Sequence, residues 1–150
     1  MHRLQVGRPL ILGGVTIEHK AGLLGHSDAD VLTHAIIDAL LGAAALGDIG
    51  QMFPDSDPRW KGADSLDLLE TVVQMVADEG YRVGNVDTTL VLERPRLRPH
   101  IAMIRAELAR VLRILPESVS VKATTSEKMG FVGREEGVAA HAVCILIGGA

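Results

Sequence analysis

The chain has 150 residues, 47% of them apolar, and a net charge of −4 from interspersed acids and bases. That length is expected to form a single domain over residues 1–150, burying roughly 70% of its unfolded surface; its composition excludes a disordered chain and a basic nucleic-acid footprint. Cys144, the only cysteine, excludes an internal disulfide and sits in the apolar run AVCILI, as a buried thiol would. No signal-peptide pattern and no apolar run of about 18 residues is seen, so a cytoplasmic protein without a membrane partner is expected.

MHRLQVGRPLILGG enters strand-like sequence at once, so the first strand reads as incomplete, with residues expected upstream. RPLILGGVTIE reads as two short strands about Gly13-Gly14, a hairpin signal. Asp28 or Ser27 is placed to cap the next helix, in which Val31, Leu32, Ala35, Ile36, Ala39 and Leu40 recur at helical spacing to about Leu46. GDIGQMFPDSDPRWKGAD, eighteen residues without a period, is a loop long enough to suggest function or mobility. Ser65 opens a second helix, with Leu66, Leu69, Val73 and Val76 on one side and Gly80 as its stop. YRVGNVDTTLVLE alternates like a strand, and Pro99 begins a third helix carrying Ile101, Ile104, Leu108, Val111 and Leu112. SVSVKA is a strand, TTSEKMGF a turn region and GVAAHAVCILIG the last strand.

This order predicts an α/β fold, an α+β sandwich with a single mixed sheet and three helices on one face. AVCILI is apolar on both faces instead of alternating, so the other sheet face is expected to pack against further copies of the chain.

The candidate chemistry lies in four segments. On a helix starting near Asp28, residues Asp30, His34 and Asp38 share one stripe. His34, with His2, suits zinc, although capping and solvation explain the same residues. Asp48, Asp55 and Asp57 suit Mg²⁺ or sugar hydroxyls, or merely solvate a loop, but Phe53 fits a solvated loop poorly. Lys122, Thr124, Thr125, Ser126 and Glu127 could seat a phosphate, and Thr124 to Glu127 equally spells a capping box. Arg94, Arg96 and Arg98 beside two prolines suit phosphate or form a solvated basic turn. No catalytic triad order, GxGxxG or Walker loop appears, so the set points to metal-assisted phosphoryl chemistry.

HSDADVLTHAIIDALLGAAALGDIG, FPDSDPRWKGADS, GYRVGNVD, RPRLRPHI and VKATTSEKMGFVGREEG, taken in order, resemble the 2-C-methyl-D-erythritol 2,4-cyclodiphosphate synthase family of the non-mevalonate isoprenoid route. The resemblance implies a phosphorus–oxygen lyase. Its substrate, 4-diphosphocytidyl-2-C-methyl-D-erythritol 2-phosphate, closes on itself and releases CMP. It implies Zn²⁺ at His2 and His34 with an aspartate two residues before His2, ahead of Met1, and Mg²⁺ or Mn²⁺ at Glu127. It matches His26 and Thr125 to groups that stabilise the transferring phosphate. Asp48, Ile49 and Gly50 with Phe53, Pro54, Asp55, Ser56 and Asp57 match a mobile loop that grips the methylerythritol, and His26 and Ser27 are further implied substrate contacts. Residues 92–98 and 123–125, among them Leu92, Pro95, Arg96, Leu97, Arg98, Ala123, Thr124 and Thr125, fall to the cytidine end, from a neighbouring subunit, and Ser126 and Glu127 are further implied substrate contacts. Arg96 stands where many members have lysine. The implied assembly is a homotrimer with active sites between subunits. Phe131, Arg134 and Glu136 would line a central channel able to take an isoprenoid diphosphate, or the two charges would pair between subunits. The alternatives are a metal-dependent phosphohydrolase of similar shape and a trimeric binding protein.

Overall fold

The computed structural model describes residues 1–54 and 56–149. Strands β1 (His2–Val6), β2 (Leu10–Leu12), β3 (Val15–Ile17) and β4 (Ala21–Leu24) precede helices α1 (Val31–Ala43), α2 (Ile49–Met52) and α3 (Ser65–Asp78). Then come β5 (Tyr81–Val91), α4 (Ile101–Leu112), β6 (Val119–Thr124), α5 (Gly130–Gly133) and β7 (Gly137–Gly148). The main sheet has the order β4-β1-β7-β5-β6. Its β5–β6 pair is parallel, with Thr89 opposite Lys122, and β7 lies antiparallel on the other side of β5.

The hairpin forms where the sequence places it, but as a separate two-stranded sheet, β2-β3. Gly13 and Gly14 hold φ at +58° and +75°, the left-handed pair that a two-residue turn between twisted strands requires. The three longer helices all bury their apolar stripes in one core. Ile36, Ile37 and Leu40 of α1, Leu69 and Val72 of α3, and Ile104 and Leu108 of α4 pack with Val86 and Leu90 of β5 and Val119 of β6. Each such side chain, removed from water, contributes about 1.5–3 kcal/mol.

The last strand has two characters. Ala142, Cys144 and Leu146 pack against the core, and the Cys144 thiol lies 3.3 Å from the Ala39 carbonyl. The alternate residues Val143 and Ile145 point outward, 66% and 61% exposed, with Ile147 beside them. These side chains form an exposed apolar row along the strand.

Three local readings are corrected. α1 begins at Val31, capped by Asp30, not by Asp28 or Ser27. The eighteen-residue stretch carries α2 and a 3₁₀ turn at Pro58–Trp60. No helix starts at Thr125, the next being α5 with Met129 before it, so the capping box does not form; Glu127 and Lys128 hold left-handed φ of 51° and 64°. Among the described residues, no helix is long and apolar enough to cross a membrane.

Candidate active site

β1 pairs with β4, placing Arg3 opposite Leu24, and β4 runs directly into the loop that bears His26. This pairing carries His2 to the head of α1. There its Nε2 lies 3.0 Å from Nδ1 of His34, with the rings edge to face and their centroids 5.2 Å apart. The loop before α1 is stitched to the segment before α3. Gly62 N–H donates to the His26 carbonyl at 2.9 Å, Asp28 N–H to the Ala63 carbonyl at 3.1 Å, and Ser65 N–H to Asp28 Oδ2 at 3.0 Å. His34 Nε2 sits between Ser65 Oγ at 2.8 Å and Ser27 Oγ at 3.2 Å. Asp30 is buried. It takes the Thr33 N–H at 3.0 Å and the Thr33 hydroxyl at 2.7 Å, so it serves the helix and not the polar stripe.

Beside His34 opens a cleft of about 260 Å³ lined by His26, Ser27, His34, Ile49, Gly50, Phe53, Pro54 and Trp60, with Leu68 at its floor. Phe53 is buried edge-on against Trp60, centroids 5.1 Å apart, which accounts for an aromatic in an acidic loop. His26 Nε2 is buried with no hydrogen-bond partner among the described residues. Asp48, Ser56 and Asp57 do not line the cleft. Asp48 caps α2, accepting Gln51 N–H at 2.9 Å and Gln51 Nε2 at 2.8 Å, bonds that lower its carboxyl pKa. Asp57 grips the Arg59 guanidinium, which holds its carboxyl below the usual range. Asp55 lies outside the described residues.

A second cleft, about 460 Å³, lies at the ends of β5 and β6. Leu92, Pro95, Leu97, Val121 and Ala123 give it an apolar floor, and Arg96, Arg98, Thr124 and Thr125 a polar rim. Glu127 and Lys128 stand in the adjoining hollow with Arg94 and Arg96. Thr125 Oγ1 donates to Glu127 Oε1 at 3.2 Å. Glu93 organises this loop. Its Oε1 accepts Ser126 N–H and Ser126 Oγ, both at 3.1 Å, and its Oε2 meets Lys128 Nζ at 3.0 Å. The Lys128 ammonium is the main cause that draws the Glu93 carboxyl down to about 2. Ser126 is thus committed to Glu93 and to the Met129 carbonyl.

The two clefts share no residue. Phe131 and Arg134 line neither; Arg134 pairs with Glu136 of the same chain at 2.9 Å. Glu93 and Ser65 carry no site signal in the sequence, and Asp28, with Ser27 an expected cap of α1, instead holds the Ser65 N–H.

Two neutral imidazole nitrogens converging at 3.0 Å suit a zinc-like divalent cation. Among the described residues, no third His, Cys, Asp or Glu joins them in a metal-binding group. Glu127 is a lone exposed carboxylate, a donor fit for Mg²⁺ or Mn²⁺ when phosphate oxygens supply the rest.

The YgbB family profile matches residues 1–147. The chain belongs to the YgbB family. It is 60% identical over 147 residues to a 2-C-methyl-D-erythritol 2,4-cyclodiphosphate synthase of Synechococcus elongatus, covering 98% of this chain and 92% of that one. A CDP-bound structure of 2C-methyl-D-erythritol-2,4-cyclodiphosphate synthase superposes with a TM-score of 0.90 at 40% identity, over 97% of this chain and 95% of that one. The bifunctional IspDF from Campylobacter jejuni superposes with a TM-score of 0.93 at 41% identity; 97% of this chain matches, spanning 39% of that longer chain. The YgbB-family chain is an enzyme of isoprenoid biosynthesis that forms a cyclodiphosphate.

Proposed function

We propose that this YgbB-family enzyme closes 4-diphosphocytidyl-2-C-methyl-D-erythritol 2-phosphate to 2-C-methyl-D-erythritol 2,4-cyclodiphosphate and CMP. A 2-phosphate oxygen forms a bond to the β-phosphorus, the bond from that phosphorus to the bridging oxygen breaks, and CMP leaves with that oxygen. The observation that carries the reading is the 3.0 Å convergence of His2 Nε2 and His34 Nδ1 beside the His26 cleft. Two anionic groups must approach each other, so catalysis is positioning and charge neutralisation. A divalent cation bound by His2 and His34, and a second bound by Glu127, would supply that neutralisation. His26, with its buried Nε2 unengaged among the described residues, is placed to donate to a phosphate oxygen. Phe53 and Trp60 wall in the methylerythritol, and the peptide groups of Ile49 and Gly50 meet its hydroxyls. In the second cleft Leu92, Pro95, Leu97 and Ala123 would receive the cytidine while Arg96, Arg98 and Thr125 hold phosphate oxygens. The CDP-bound relative supports that assignment.

The reading includes a homotrimer. Clefts that share no residue, and the exposed row Val143, Ile145 and Ile147, support a site made where one chain's first cleft meets a neighbour's second. Phe131 and Arg134 would then border a central channel fit for an isoprenoid diphosphate, and the enzyme would work in the cytoplasm with its charged substrate.

³¹P NMR of the purified protein with substrate, Zn²⁺ and Mg²⁺ tests the reaction. Cyclic diphosphate and CMP are expected; an open-chain diphosphate would make it a hydrolase and overturn the reading.

A further inference from the structure

Ser65 is fully buried, and its side chain turns back from the start of α3 onto the head of α1. Its Oγ makes a very short hydrogen bond to Asp28 Oδ1 and lies 2.8 Å from His34 Nε2. Asp28 is fixed independently, since its Oδ2 accepts Ser65 N–H at 3.0 Å and its Oδ1 accepts Asp30 N–H at 3.1 Å.

For a neutral His34 imidazole the proton count along this chain has one consistent solution. A carboxylate only accepts, and a serine hydroxyl has one hydrogen, so that hydrogen goes to Asp28. What Ser65 Oγ then presents to His34 Nε2 is a lone pair. The opposite histidine tautomer would set two lone pairs against each other at 2.8 Å. Nε2 therefore carries the imidazole hydrogen, and Nδ1 carries the electron pair on the side of His2. Ser27 Oγ, at 3.2 Å from Nε2, already takes the Ala29 N–H with one lone pair and has another for the same imidazole hydrogen.

We propose that Asp28 and Ser65 are positioning residues that lock His34 in its Nε2–H tautomer and so aim the Nδ1 electron pair toward His2. The tautomer stands on the hydrogen bonds alone; its consequence for metal binding rests on the cation seat proposed above. A carboxylate behind a hydroxyl behind an imidazole also makes the distal nitrogen a stronger donor, and loss of such an outer partner typically weakens metal affinity about 10–100-fold.

The test uses the full chain, stripped of metal, with ¹⁵N-labelled histidine at about pH 8, where imidazole is neutral. Long-range ¹H–¹⁵N correlation, assigned against His34→Gln, is expected to show His34 protonated at Nε2; protonation at Nδ1 would overturn the proposal. Ser65→Ala is then expected to populate the other tautomer and to raise the Zn²⁺ dissociation constant about 10–100-fold by chelator competition. If Ser65→Ala folds and keeps both the tautomer and the affinity within twofold, the proposal fails while the cation seat survives. If the wild type shows the Nε2–H tautomer but binds no Zn²⁺, the relay stands and the cation seat fails. Should Ser65→Ala not fold, the wild-type spectrum still decides.

Discussion

Asp30 caps α1 and accepts the backbone N–H of Gly14 at 2.8 Å, so one buried carboxylate ties the hairpin turn to the helix that carries His34. Burial pushes this carboxyl up to about 6, outweighing the donors from Thr33 and Gly14 that draw it down. The folded state therefore holds a proton that the unfolded chain releases near pH 4. Stability from this group is full below that pH, falls as pH rises through about 6, and is level above. We expect a decline on the order of 1–3 kcal/mol across that window in urea unfolding. Asp30→Asn should remove the slope, and parallel pH profiles for wild type and variant would contradict the assignment. Asp30→Ala, which loses the cap and orphans the Gly14 N–H, should destabilise the fold by about 2 kcal/mol or more.

Glu93 governs the other half of the site. Its folded carboxyl, at about 2, lies below its unfolded value, so its stabilisation is present at neutral pH and is lost as pH falls from about 4 toward 2. Glu93→Gln places an amide against the Ser126 and Lys128 donors. Turnover should drop about tenfold or more, and hydrogen exchange should quicken in residues 125–129 while the α1 amides stay protected. Equal slowing of turnover with no change in exchange would mean Glu93 meets substrate directly.

The hairpin, both long strands and the three longer helices are legible in the sequence because periodicity and glycine pairs are local signals. What escaped it depends on distant partners. β4 is short and marks itself only by pairing, its Leu24 with Arg3 of β1. Ser27, Asp28 and Asp30 are three capping candidates within four residues; the choice is made by Ser65, which takes Asp28, and by Gly14, which takes Asp30. The capping-box pattern at Thr124 fails because the chain turns left-handed at Glu127. Of the motif residues, His26, Ser27, His34 and Phe53 line one cleft and Arg96, Arg98, Thr124 and Thr125 another, while Asp48 and Asp57 bond Gln51 and Arg59. Glu93 was hidden because an acid before an arginine run reads as a plain charged turn.

Gly133 lets the loop of Glu127 close. A methyl there would stand 2.1 Å from the Lys128 carbonyl carbon, and backbone cannot step aside cheaply. Gly133→Ala should therefore cost about 1–3 kcal/mol and raise the Mg²⁺ concentration needed for half-maximal turnover. An unchanged Mg²⁺ response would separate this loop from metal binding.

The exposed row on β7 tests assembly. Ile145→Arg places a charge in a 61% exposed apolar position. Light scattering should show a trimer for the wild type and smaller species for the variant, with circular dichroism unchanged. A wild-type monomer with full turnover would remove the subunit-shared site.

In the proposed mechanism, turnover depends on a cation seated by His2 and His34 together. Zinc retained per chain after gel filtration, measured for wild type and His34→Ala beside CMP release, tests it most directly. Bound zinc and CMP release are expected in the wild type, and loss of both in the variant with its fold intact. A His34→Ala protein that keeps its zinc and its turnover would contradict it.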